Sequence, residues 1–104
     1  MTIQINTDKN IEGSQNMETY YKDSLEHGLK NFSQYITRLE VHVSDQNADK
    51  EGADDIQVRI EARVRGKEPV LVEARAANQE AALQGAIDKI QGVMRKIKDK
   101  LTEH

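Results

Sequence analysis

Residues 56–76 read IQVRIEARVRGKEPVLVEARA, and the reading of this stretch decides the fold. Ile56, Val58, Ile60, Ala62 and Val64 alternate with Gln57, Arg59, Glu61, Arg63 and Arg65. After Gly66 to Pro69, Val70, Val72, Ala74 and Ala76 alternate with Leu71, Glu73 and Arg75. Successive side chains of a strand point to opposite faces, so each run has one apolar and one polar side. The segment from Gly66 to Pro69 carries the chemistry of a tight turn. Strands of this kind form an antiparallel sheet with one face covered and the other in water.

Working outward, Leu39, Val41 and Val43 alternate with Arg38, Glu40, His42 and Ser44, which gives a further strand. Thr2 to Asn6 alternates in the same way, with Ile3 and Ile5 on one side. Between these strands, Asp8 to Gly13 is turn-like and Ser14 stands where a helix N-cap would. Met17, Tyr21, Leu25, Gly28, Leu29 and Phe32 then recur at three- and four-residue spacing, which predicts an amphipathic helix over 15–31. Gly28 on that apolar face predicts close approach to another backbone. Asn78 caps a last helix that runs to Leu101, with Glu80 in its first turn. Its buried stripe is Leu83, Ala86, Ile87, Ile90, Met94, Ile97 and Leu101. The order β-α-β-β-β-α predicts an α+β two-layer sandwich: a four-stranded sheet with both helices on one face, as one domain over 1–104.

Length and composition agree. The chain has 104 residues, with Lys+Arg 15 against Asp+Glu 18, and no cysteine, which removes disulfides, thiolate nucleophiles and cysteine metal sites. No stretch approaches the ~20 apolar residues of a membrane span, and the opening residues do not read as a signal peptide. The expectation is a soluble intracellular single domain.

The net charge of −3 hides polarity along the chain. Between 45 and 55 stand five acidic residues (Asp45, Asp49, Glu51, Asp54, Asp55) and one basic, Lys50. Between 89 and 100 stand five basic residues (Lys89, Arg95, Lys96, Lys98, Lys100) and one acidic, Asp99. An acidic loop and a basic last helix result.

No catalytic constellation can be assembled. His27, His42 and His104 are scattered, and His42, Ser44 and Asp45 lack an oxyanion hole or a sharp nucleophile turn. The acidic loop lacks the spacing of a calcium loop, and a solubilising turn is its plainer reading. Glycines 13, 28, 52, 66, 85 and 92 stand singly, so no phosphate loop is formed. Neither an enzyme, a metal nor a cofactor is expected.

Two surfaces could bind RNA. The polar sheet face carries Arg38, His42, Arg59, Arg63, Arg65 and Arg75, but Glu40, Glu61 and Glu73 intersperse them and no aromatic is there for stacking. Cross-strand ion pairing is the better reading of that face. The last helix places Lys89, Lys96 and Lys100 in one row at roughly 220–260° from its apolar stripe, with Arg95 and Lys98 on the other flank. Such a row would track phosphates without reading bases. A rim of snorkelling lysines at a helix C-terminus fits the same residues equally well.

A resemblance adds to this reading. Ala81-Ala82-Leu83-Gln84-Gly85-Ala86-Ile87-Asp88-Lys89-Ile90, continued by Lys96, Lys98, Asp99, Lys100 and Leu101, resembles the second helix of the ribosome hibernation promoting factors. That family is also called ribosome-associated inhibitor A, or sigma-54 modulation protein. Ile3, Ile5 and the segment Asn10-Ile11-Glu12 with Ser14 are similar to its first strand and helix cap. The resemblance covers nearly the whole chain and implies the same β-α-β-β-β-α fold. It implies a cytoplasmic protein that binds the small ribosomal subunit and its 16S rRNA in stationary phase or stress. There it would occupy the mRNA and tRNA channel and inhibit translation, with no membrane and no small-molecule substrate. Carried over by position, Lys89, Lys96, Lys98 and Lys100 would meet rRNA phosphates, with Lys22 and Lys30 of the first helix as further candidates. The chain departs from the family at Gly92, where a basic residue is common, and at Gln84, where an acidic one is. Its acidic loop is also longer and more negative. Ending at His104, it would lack the C-terminal domain of long members. The alternative is a divergent interaction module of the same fold that docks a protein through the 45–55 loop or a sheet edge.

Overall fold

The computed structural model describes residues 1–8, 15–45 and 56–102. In chain order they form β1 (Thr2–Thr7), α1 (Gln15–Gly28), a 3₁₀ turn (Lys30–Phe32), β2 (Ile36–Asp45), β3 (Ile56–Val64), β4 (Val70–Ala76) and α2 (Gln79–Thr102). This is the α+β order read from the periodicities. The cap at Ser14, the acidic segment 46–55 and His104 lie outside the described residues.

The four strands stand in the order β1-β2-β3-β4. β2, β3 and β4 pair antiparallel, with Val41 opposite Ile60 and Ile60 opposite Val72. β1 pairs parallel to β2, Ile5 beside Val41, so the sheet is mixed rather than antiparallel throughout. The reason is topological: a helix connects β1 to β2 and returns the chain to the same end of the sheet. The β3–β4 turn closes at Gly66, whose φ of 73° is the left-handed conformation that glycine adopts without strain. Lys67 N–H donates to the Val64 carbonyl there at 3.1 Å.

The apolar face of the sheet is the core: Leu39, Val41, Val43, Val58, Ile60 and Ala62 are buried with at most 1% exposure. α2 packs across β3 and β4, and α1 across β1. The expected helix over 15–31 ends earlier, at Gly28, and the chain tightens into the 3₁₀ turn, which keeps Phe32 buried. Gly28 makes a close approach, but to side chains of α2 rather than to the backbone that was expected. A Cβ there would stand 2.8 Å from Ile87 Cγ2 of α2, and the Gly28 carbonyl accepts from Gln91 Nε2 at 2.8 Å.

Candidate nucleic-acid interface

α2 starts where its sequence says it should. Asn78 Oδ1 accepts from the Ala81 N–H at 2.8 Å, satisfying one of the donors that a helix N-terminus leaves open. Ala82, Leu83, Ala86, Ile87, Ile90 and Met94 are buried. Ile97 is half-buried, and Leu101, expected to complete the stripe, is 45% exposed. Full burial ends at Met94; Ile97 still packs against the core, and the helix end beyond it is exposed at Leu101.

The first cation row divides in two. Lys89 Nζ donates to the Glu73 carbonyl at 2.6 Å, on the free edge of β4, which anchors that ammonium. A lysine folded over an edge carbonyl also blocks strand addition, so this edge is a poor dock for a protein partner. Lys96 and Lys100 are exposed and have no carboxylate partner among the described residues. On the opposite flank, the Lys98 ammonium lies 5.9 Å from the centre of the Phe32 ring. That places it for a cation–π contact. Arg95 and Lys98, together with Asn31 and Asp99, line a cleft between α2 and the 3₁₀ turn.

The structure does not join the remaining candidates to these rows. Lys22 is exposed on α1, and no bond or ion pair among the described residues ties it to α2. Lys30 lines a separate depression with Asp23, Glu26 and His27. Asn31 and Gln91, polar groups beside the Arg95–Lys98 flank, were missed by sequence reasoning because neither belongs to a charge pattern; only the fold brings them together.

The outer sheet face corrects one expectation. Its ion pairs run along strands, Arg38 with Glu40 at 3.3 Å and Arg63 with Glu61 at 3.4 Å. Between β2 and β3 like meets like, Arg38 opposite Arg63 and Glu40 opposite Glu61, which disfavours pairing across that seam; between β3 and β4 the register sets Arg59 opposite Glu73. Arg38 also donates to Gln4, and Gln57 to Glu73. A shallow depression on this face is lined by Asn6, His42, Gln57, Arg59 and Leu71. Among the described aromatics, Phe32 and Tyr21 are buried, Tyr35 is half-buried, and Tyr20 is exposed on α1, so none offers a stacking platform there.

Acid–base chemistry finds little footing. Burial, with the Tyr20 hydroxyl adding to it, pushes the Tyr21 hydroxyl up to about 12, and that group donates to Gln79 Oε1 at 2.7 Å. It stays protonated at neutral pH. Among the described residues no three His, Asp or Glu side chains gather to hold a metal. No described helix is long and apolar enough to cross a membrane.

Comparison with known proteins adds a family. Residues 3–102 match the family described as Sigma 54 modulation protein / S30EA ribosomal protein. Among solved structures, the chain is similar to the N-terminal domain of Protein Y from Thermus thermophilus, at 19% identity and TM-score 0.71, covering 93% of this chain and 99% of that one. It is also similar to a ribosomal subunit interface protein from Coxiella burnetii, at 13% identity and TM-score 0.76, covering 94% and 98%. At these identities the likeness is one of fold. No curated protein matches the chain in sequence.

Proposed function

The chain belongs to the Sigma 54 modulation protein / S30EA ribosomal protein family, and from that premise we propose that it is a ribosome-binding factor that acts by occupancy rather than by chemistry. In this reading it binds 16S rRNA in the mRNA and tRNA channel of the small subunit, in the cytoplasm. While seated it holds translation off during stationary phase or stress. The observation that carries the reading is the end of α2: Lys96 and Lys100 exposed on one flank, exposed Arg95 with half-buried Lys98 on the other. Cations free of carboxylate partners gain by releasing counterions from RNA phosphates. Lys89 contributes less than its place in the row implies, because its ammonium already serves the β4 edge.

The test is co-sedimentation with 30S subunits. Lys89→Glu, Lys96→Glu and Lys100→Glu together abolish it while the circular dichroism spectrum stays that of the parent. Unchanged sedimentation of the triple variant moves the interface elsewhere. In a gradient of stationary-phase lysate the protein is recovered with 30S, 70S or 100S particles; recovery only at the top overturns the reading.

A further inference from the structure

The two cation rows of α2 lie on opposite shoulders of the helix. Counting about 100° per residue from Ile90, Lys96 and Lys100 lie at roughly 240–280° and Lys98 and Arg95 at roughly 80–140°. The contacts agree: Lys89 of the first row reaches Glu73 on the β4 edge, and Lys98 of the second sits over Phe32 of the 3₁₀ turn. A helix with its side chains is about 10–12 Å across, so a phosphate held at one shoulder is beyond reach of the other. Past Met94 no described residue of α2 is fully buried: Lys96, Lys100 and Arg95 are exposed and Lys98 is half-buried over Phe32.

The crest between the rows differs from the shoulders. Nothing lies within 4 Å of where a Cβ on Gly92 would stand, so the backbone there is bare. Asp88 on the crest already accepts from Gln84 Nε2 at 2.9 Å. Asp99 is exposed at the border of the second shoulder, where it lines the cleft with Arg95 and Lys98. A crest carboxylate repels phosphates but accepts hydrogen bonds from hydroxyl groups.

We propose that α2 straddles a two-stranded RNA segment across its minor groove. Lys96 and Lys100 take phosphates of one strand, and Arg95 and Lys98 take phosphates of the other. The A-form minor groove is wide and shallow and displays 2′-hydroxyls, whereas the major groove is too deep and narrow to admit a helix. The bare backbone at Gly92 lets α2 settle on the groove floor. A lone strand would follow one shoulder and leave the other in water. The inference rests on the reading of α2 as an RNA-contacting surface and names the form of RNA it takes.

Fluorescence anisotropy with the whole chain tests it, using an RNA duplex of about 16 base pairs, enough to present successive minor grooves, the matching single strand, and DNA of the same sequence. Neutralising variants are Lys96→Gln with Lys100→Gln, and Arg95→Gln with Lys98→Gln, each checked by thermal melting. If losing the Lys98–Phe32 contact unfolds the second pair, the exposed Arg95→Gln alone carries that arm. The RNA duplex binds at least tenfold tighter than the strand or the DNA. Each pair of substitutions lowers the slope of log affinity against log salt by about 1–2. A slope unchanged by loss of the Arg95 side, or a single strand bound as tightly as the duplex, overturns the inference. With 30S subunits the two claims separate. Loss of binding on neutralising Lys96 and Lys100 but not Arg95 and Lys98 keeps the ribosome reading and ends the two-strand one. Wild-type affinity in the quadruple variant ends both.

Discussion

Replacing Gly28 by alanine tests the packing that sets α1 against α2. The new Cβ would stand 2.8 Å from Ile87 Cγ2 and 3.5 Å from Gln91 Nε2. Ile87 is 3% exposed and has little room to retreat. Forcing extra volume into such a contact costs about 1–3 kcal/mol. Shifting Gln91 off the Gly28 carbonyl adds about 0.5–1.5 kcal/mol. Against these, alanine gains up to ~1 kcal/mol of helix propensity over glycine, and less at Gly28, the last residue of α1. The balance is a loss of about 1–4 kcal/mol, or a Tm lower by at least about 4 °C for a domain of this size. Differential scanning calorimetry reads it directly. Ile87→Leu removes the β-branch that the new methyl would strike, so the double variant recovers much of the loss, a coupling of about 1 kcal/mol. A Tm that rises in Gly28→Ala, or a double variant that merely adds the two single effects, would refute the close contact.

Three further outcomes follow from the geometry. Asn78→Ala removes the cap on the Ala81 N–H and lowers stability by about 1 kcal/mol, seen as a lower urea midpoint with unchanged m. Gly92→Ala meets open space at the new Cβ, so it raises stability by about 0.8–1 kcal/mol in the same assay; a lower midpoint would mean that the position is packed. The Tyr21 hydroxyl has its folded pKa raised from 10.0 to about 12 by burial. The unfolded chain therefore releases its proton first, and the stability this group contributes is full below pH 10 and lost as pH climbs through 12. Alkaline unfolding followed by circular dichroism shows this loss, and Tyr21→Phe flattens it; an unaltered profile in the variant would assign the loss to another group.

Strand and helix identity was legible because period-2 and helical spacings are written in apolar residues that the core then buries, as Val58, Ile60, Ile87 and Ile90 show. Pairing direction was less so: β1 alternates like its neighbours, and only the helix that follows it fixes the parallel register. Leu101 carries the right spacing but lies past the end of the sheet, a length mismatch that periodicity cannot sense. Charge partners were the least legible. Whether Arg38 meets Glu40 along its strand or a carboxylate across from it depends on register. Lys89 and Lys96 look alike on a helical wheel, yet one is drawn to an edge carbonyl and the other stands free. Sequence gives the charge of a helix flank, and the neighbouring strand decides how much of it is free.

The claim on which all this turns is that the free cations at the end of α2 hold rRNA by its phosphates. The most direct measurement is the affinity of the protein for purified 30S subunits over a range of monovalent salt, for the parent and for Lys96→Glu with Lys100→Glu. The account predicts a linear fall of log affinity with log salt in the parent and a slope shallower by about 2 in the variant, close to one counterion for each lost phosphate contact. Binding that ignores salt, or a variant whose slope matches the parent, would contradict it.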